Sequence, residues 1–137
     1  MTTHATATFA VKSWDEQTWE GKPHNEVTGT KLTTTHVVYS YEGDFEGEST
    51  YRTVMYYRDD GTAAFSGLEK FVGKLHGRSG SFVVQHIGTF GAEGVRGTFT
   101  VIPNSGTDEL KGITGKGVVN LSGHAERYPI TLEYDSE

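Results

Sequence analysis

The stretch from Thr62 to Leu75 places a single carboxylate among apolar neighbours. Its odd positions are Ala63, Phe65, Gly67, Glu69, Phe71, Gly73 and Leu75, whereas Ser66, Lys70 and Lys74 hold even ones. Lysine ammonium groups seek water, so the odd set turns inward and carries Glu69 with it. In the following stretch, Ser81 to Phe90, the more aromatic set is Phe82, Val84, His86, Gly88 and Phe90. That choice brings His86 to the same side. Upstream, Arg52 and Arg58 claim the outer face and turn Tyr51, Thr53, Met55 and Tyr57 in. The implied interior is aromatic and apolar, with a carboxylate, an imidazole and phenols, as in a small-molecule pocket. Glu69 and His86 are the candidate catalytic residues, because a carboxylate or imidazole in such a cavity can act as general acid or base. Tyr51, Met55, Tyr57, Phe65, Phe71, Phe82 and Val84 are the candidate ligand-binding residues. A plainer use exists for both polar groups. Glu69 paired with a neighbouring His or Tyr would hold strand register, and His86 would be a hydrogen-bonded structural histidine.

Other motifs offer less. His4, His24, His36, His76, His86 and His124 never form a close pair, and no carboxylate cluster has ligand spacing, so no metal is expected. The segment Gly73-Lys-Leu-His-Gly77-Arg-Ser-Gly80 lacks the Gly-Lys-Ser/Thr ending of a phosphate loop and joins two strands. Ser105 to Gly112 fails in the same way, and no Gly-x-Ser-x-Gly elbow occurs. The chain should therefore work without metal, flavin or nucleotide. Trp14 and Trp19 flank acids in a polar segment and suit the cover of one end of a domain.

The elements that position these residues follow from period. Ala5 to Lys12 alternates, with Ala5, Ala7, Phe9 and Val11 on one face. The same pattern recurs in Leu32 to Tyr41, Glu48 to Arg58, Thr62 to Leu75, Ser81 to Phe90, Val95 to Ile102, Gly117 to Leu121 and Tyr128 to Tyr134. Turn signals separate these runs, the clearest being Asp59-Asp60-Gly61. No amphipathic helical stretch reaches three turns, although short helical turns fit Asp15 to Trp19 and Ser105 to Leu110. Trp14 to Thr30, polar and without alternation, is expected to be a long loop. Glycines inside neighbouring strands (Gly67, Gly73, Gly88 and Gly97) mark bends or close approaches. Several such bends favour closure into an antiparallel barrel, with a sandwich as the alternative.

Length and charge agree with one small domain over residues 1–137. Of the 137 residues, 18 are glycine, 3 proline and none cysteine. The missing cysteines exclude disulfide scaffolds, thiolate zinc sites, iron–sulfur clusters and cysteine nucleophiles together. No apolar run approaches the ~18 residues of a membrane helix. A net charge of −6 gives no electrostatic reason to seek nucleic acid or an anionic membrane. A cytoplasmic protein is expected.

Several stretches, in this order, resemble one family. They are Ser13-Trp14-Asp15-Glu16, Gly43-Asp44-Phe45-Glu46-Gly47-Glu48, Arg58-Asp59-Asp60-Gly61-Thr62-Ala63 and Phe65-Ser66-Gly67-Leu68-Glu69, followed by Gly77 to His86, Ser105-Gly106-Thr107 and Gly112-Ile113-Thr114-Gly115. Together they resemble the bacterial domain-of-unknown-function family numbered 3224, over nearly the whole chain. The resemblance implies an eight-stranded antiparallel barrel like that of plant allene oxide cyclase, related in shape to lipocalins. That cyclase closes a ring in an unsaturated fatty-acid epoxide without a cofactor. The similarity is one of fold, which does not transfer function, and none of the cyclase's catalytic residues is carried over to this chain.

Two functions fit these expectations. One is a barrel that binds a small apolar or amphipathic molecule; the other is a cofactor-free isomerase or cyclase in which Glu69 or His86 handles the proton. A packed barrel with a purely structural role is a third. Outer faces carrying Val37 and Tyr39, or Leu68 and Val72, leave room for a homodimer.

Overall fold

The computed structural model describes residues 2–23, 27–123 and 125–135, so His24 and His124 lie outside it. Alternation becomes eight strands: β1 (Thr3–Thr18), β2 (Lys31–Gly43), β3 (Phe45–Tyr57), β4 (Ala63–Leu75), β5 (Arg78–Gly91), β6 (Gly94–Val101), β7 (Thr114–Leu121) and β8 (Tyr128–Asp135). They pair in chain order and close into one antiparallel barrel, β8 returning to β1 from Thr3↔Tyr134 to Phe9↔Tyr128. The expected barrel, rather than the sandwich, is the fold. No α-helix occurs among the described residues, and no helix is long and apolar enough to cross a membrane.

Inward glycines let the strands bend. Gly47 pairs with Gly73, and Gly73 with Gly80, across three neighbouring strands. A Cβ on Gly73 would stand 2.1 Å from the Glu46 carbonyl oxygen, so only hydrogen fits where the backbones meet.

The barrel's two ends differ. At one end Phe45, Leu75, Phe82, Val101 and Leu132 pack with Leu110 and Ile113 from the β6–β7 connection. A 3₁₀ turn at Asp108–Leu110, within the helical turn expected from Ser105, delivers Leu110 into this plug. The other end is bounded by the β1–β2, β3–β4, β5–β6 and β7–β8 connections, and among the described residues a cavity opens toward it.

Three expectations are corrected. The long loop does not begin at Trp14, and Asp15 to Trp19 is not helical, because β1 runs on to Thr18. The reason is a register shift between Val11 and Ser13, a β-bulge that inserts Lys12. Before it Ala5, Ala7 and Phe9 are buried; after it Glu16 and Thr18 are. The interruption breaks the alternation over any window that spans it. Val37 and Tyr39 face inward, not outward. Val37 pairs with inward Tyr51 and is 2% exposed, and Tyr39 joins the interior aromatic cluster. Leu68 and Val72 are exposed as expected.

Candidate functional site

Register brings the two sequence-derived polar residues together. On β4, Glu69 pairs with Val84 and Gly67 with His86, so Glu69 and His86 are diagonal neighbours on one inner face. Unbroken pairing along β3, β4 and β5 keeps the alternation in phase. Glu69 is 3% exposed. Its Oε2 accepts hydrogen bonds from the Tyr41 hydroxyl and from Ser49 Oγ, the latter at 2.5 Å. Oε1 lies 2.8 Å from His86 Nε2. The His86 ring packs against Tyr51 and Phe99, at centroid distances of 4.7 and 5.5 Å. The His and Tyr partnership weighed for Glu69 from its sequence is thus present, with Tyr41 from β2 supplying the phenol.

Above this cluster a cavity of about 300 Å³ opens toward the unplugged end. Tyr51, Met55, Phe65, Glu69 and His86 line it, as does Tyr39 on the neighbouring strand. One wall is apolar, with Val95, Val119, Leu121 and Ile130 from β6, β7 and β8. Below Glu69 lies a void of about 30 Å³, lined by Phe71, Phe82, Val84 and Phe99. The predicted ligand-binding residues therefore divide between the cavity and the packed zone beneath it. Tyr57 lines neither; its hydroxyl donates to Glu16 Oε2 at 2.6 Å.

Glu16 is the residue that alternation missed. It is 8% exposed, and accepts from Thr33 Oγ1 at 2.6 Å and from Trp14 Nε1 at 3.2 Å. Trp14 also lines the cavity, whereas Trp19 is exposed beyond the end of β1. The bulge at Lys12 carries no sequence mark beyond the interruption itself. Tyr39 and Tyr41 were findable, because Thr33, Thr35, Val37, Tyr39 and Tyr41 form one alternating set.

Burial raises the pKa of the Tyr39, Tyr41 and Tyr51 hydroxyls, and the nearby Glu69 charge adds to it. Tyr57 is raised by burial and then by its bond to Glu16. All four phenols remain neutral donors across the physiological range. Tyr51 is unusual among them. The residue is 6% exposed, and its buried hydroxyl has no partner among the described residues. A buried hydroxyl without a partner costs about 1–3 kcal/mol. Among the described residues no three His, Asp or Glu side chains converge as a metal site.

Fold and site define a small closed antiparallel barrel with a blocked end, an open end, and a buried carboxylate–imidazole pair between them. The family model described as a protein of unknown function, DUF3224, matches residues 5–134, and the chain belongs to that family. It is similar to a crystal structure, at 1.84 Å resolution, of a DUF3224 protein of unknown function from Shewanella oneidensis MR-1. Identity is 27%, all of this chain and 99% of the other are covered, and the TM-score is 0.81. No curated protein matches the chain.

Proposed function

We propose that the barrel binds a small apolar or amphipathic molecule in its interior. The observation that carries this reading is the 300 Å³ cavity, with one apolar wall and one wall bearing Glu69, His86 and tyrosines. Its size is at the low end of ligand pockets, about 300–1,000 Å³. A cytoplasmic setting belongs to the same reading. Arg52, Lys70 and Lys74 are exposed on the outer face, where a membrane barrel carries an apolar band. The net charge of −6 supports a reading without nucleic acid or membrane partners. A homodimer through exposed Leu68 and Val72 on β4 completes it.

A second reading, a cofactor-free isomerase or cyclase, is favoured by one specific contact. The 2.8 Å pair of Glu69 and His86 sets a proton acceptor beside a proton donor on the cavity wall. Native mass spectrometry of protein purified from its own host tests the binding reading. A retained small molecule of constant mass supports it, and a bare chain under gentle conditions counts against it. Glu69→Gln then separates the roles of the carboxylate. Altered binding or turnover with near-native stability supports a functional Glu69. Unchanged binding with a large loss of stability assigns it to the hydrogen-bond network alone.

A further inference from the structure

We propose that two copies of the chain associate about a two-fold axis running along the seam between β3 and β4. This rests on the reading of the barrel as a homodimer through Leu68 and Val72, and adds where the axis lies and which charges meet across it. Charge on the outer wall changes sign at that seam. On β3 the exposed Glu46 and Glu48 stand next to β4, whose exposed charges are Lys70 and Lys74. Across β4 and β5 the one acidic residue is Glu69, which is buried. Register sets Glu46 level with Lys74 and Glu48 level with Val72. Among the described residues Glu46 and Lys74 enter no ion pair, so both charges are open to a partner. Leu68 and Val72 are about half exposed, and Val54 on β3 adds a third apolar side chain.

Symmetry selects the seam. A two-fold contact brings the same patch of both copies together. Set along β4 itself, the axis would lay Lys70 on Lys70 and Lys74 on Lys74, like charges face to face. Set along the seam, it lays β3 of each copy over β4 of the other at equal height. Glu46 then faces Lys74 of the second copy, twice over, and the four side chains make a ring of alternating charge. The Val72 side chains of the two copies meet across the axis, as do those of Leu68, and apolar area leaves water at the centre. Arg52, level with Leu68, falls opposite Leu68 of the second copy, which its aliphatic stem can cover. The seam between β7 and β8 also sets a base beside an acid, Lys116 with Glu133. There Glu133 is already engaged by His4, and Val118 is the single exposed large apolar side chain among the described residues of those strands.

Sedimentation velocity of the whole chain and of two single variants, Glu46→Lys and Lys74→Glu, tests this. The wild-type chain is expected to be a dimer. Each variant alone puts like charges in contact and is expected to weaken the dimer about tenfold or more. An equimolar mixture of the two variants regains opposite charges at both contacts, and is expected to return the dimer as a heterodimer. Both substitutions are at exposed positions, and far-ultraviolet circular dichroism checks that the barrel stays folded. Variants that dimerise like the wild type overturn the seam while leaving the homodimer in place. Variants that are both weakened but do not combine overturn the pairing of Glu46 with Lys74. A wild-type chain that stays monomeric at millimolar concentration overturns the homodimer reading and this inference with it.

Discussion

Glu69 and Glu16 are built alike and situated differently. Each is a carboxylate in the barrel interior that accepts from a tyrosine, from a serine or threonine, and from a ring nitrogen or its equivalent. Around Glu69 the partners Tyr41, Ser49 and His86 are all buried. Around Glu16, Thr33 is buried, Tyr57 is partly covered and Trp14 is half exposed. Loss of Glu16 leaves partners of which Trp14 is already half exposed, whereas loss of Glu69 leaves three partners that are all buried. The same local chemistry therefore has a different energetic weight at two depths of one cavity.

The largest effect expected from this comparison is in stability. Glu69→Ala should cost about 3–5 kcal/mol, because it strands three buried polar partners. Glu16→Ala should cost about 1–2 kcal/mol, close to the loss of ordinary hydrogen bonds. Urea unfolding of both variants measures the ratio. Equal losses would break the distinction by depth.

Alkaline pH should sharpen it. The folded pKa values of Tyr39, Tyr41, Tyr51 and Tyr57 lie above the ordinary tyrosine value of about 10. Groups raised in the folded state contribute fully below the unfolded pKa, and that contribution disappears as pH climbs from there toward the folded value. Stability should be flat with respect to these phenols below about pH 10 and fall above it. Phenolate absorbance from the four should appear together with loss of near-ultraviolet circular dichroism. Early titration of Tyr39, Tyr41 and Tyr51 in an intact barrel would contradict the burial that defines the deep site.

The smallest effect is expected from deleting Lys12. With the extra residue gone, regular alternation from Val11 still turns Trp14, Glu16 and Thr18 inward. The main loss is the exposed ion pair of Lys12 with Glu48, 2.5 Å apart, worth about 0–1 kcal/mol. Thermal unfolding should shift by only a few degrees. A collapse of stability would mean that the bulge supplies strand bending that the rest of β1 needs.

The legibility of the two sites in the sequence follows the same line. Period two is a local signal, and β3, β4 and β5 keep it without a break from Phe45 to Gly91 apart from their turns. Glu69, His86, Tyr51 and Met55 could be assigned inward from lysines and arginines on the opposite face. The barrel was legible through glycines such as Gly67 and Gly73, which have no other use inside a strand. Glu16 was hidden because one inserted residue reverses the phase. Tyr57 was assigned correctly to the inner face, but its partner could not be named without Glu16. The unpartnered Tyr51 hydroxyl depends on how rings from β2, β3 and β5 settle against one another, and no single-strand pattern encodes that.

The path of β1 beyond its bulge has a consequence for solubility. Along β1, β8 pairs with Thr3–Phe9 alone, while β2 follows β1 up to Thr18. The upper part of β1 is thus a sheet edge, and such edges recruit strands from other molecules. Past Phe9 on that side, among the described residues, the pairing consists of an isolated bridge from Gln17 to Pro23. Proline has no N–H to offer a newcomer, and the irregular step at Lys12 spoils the flat template that an added strand would need. The chain turns back after Thr18 and lays its own proline against the exposed ladder, a guard against edge-to-edge aggregation at the end of the barrel toward which the cavity opens.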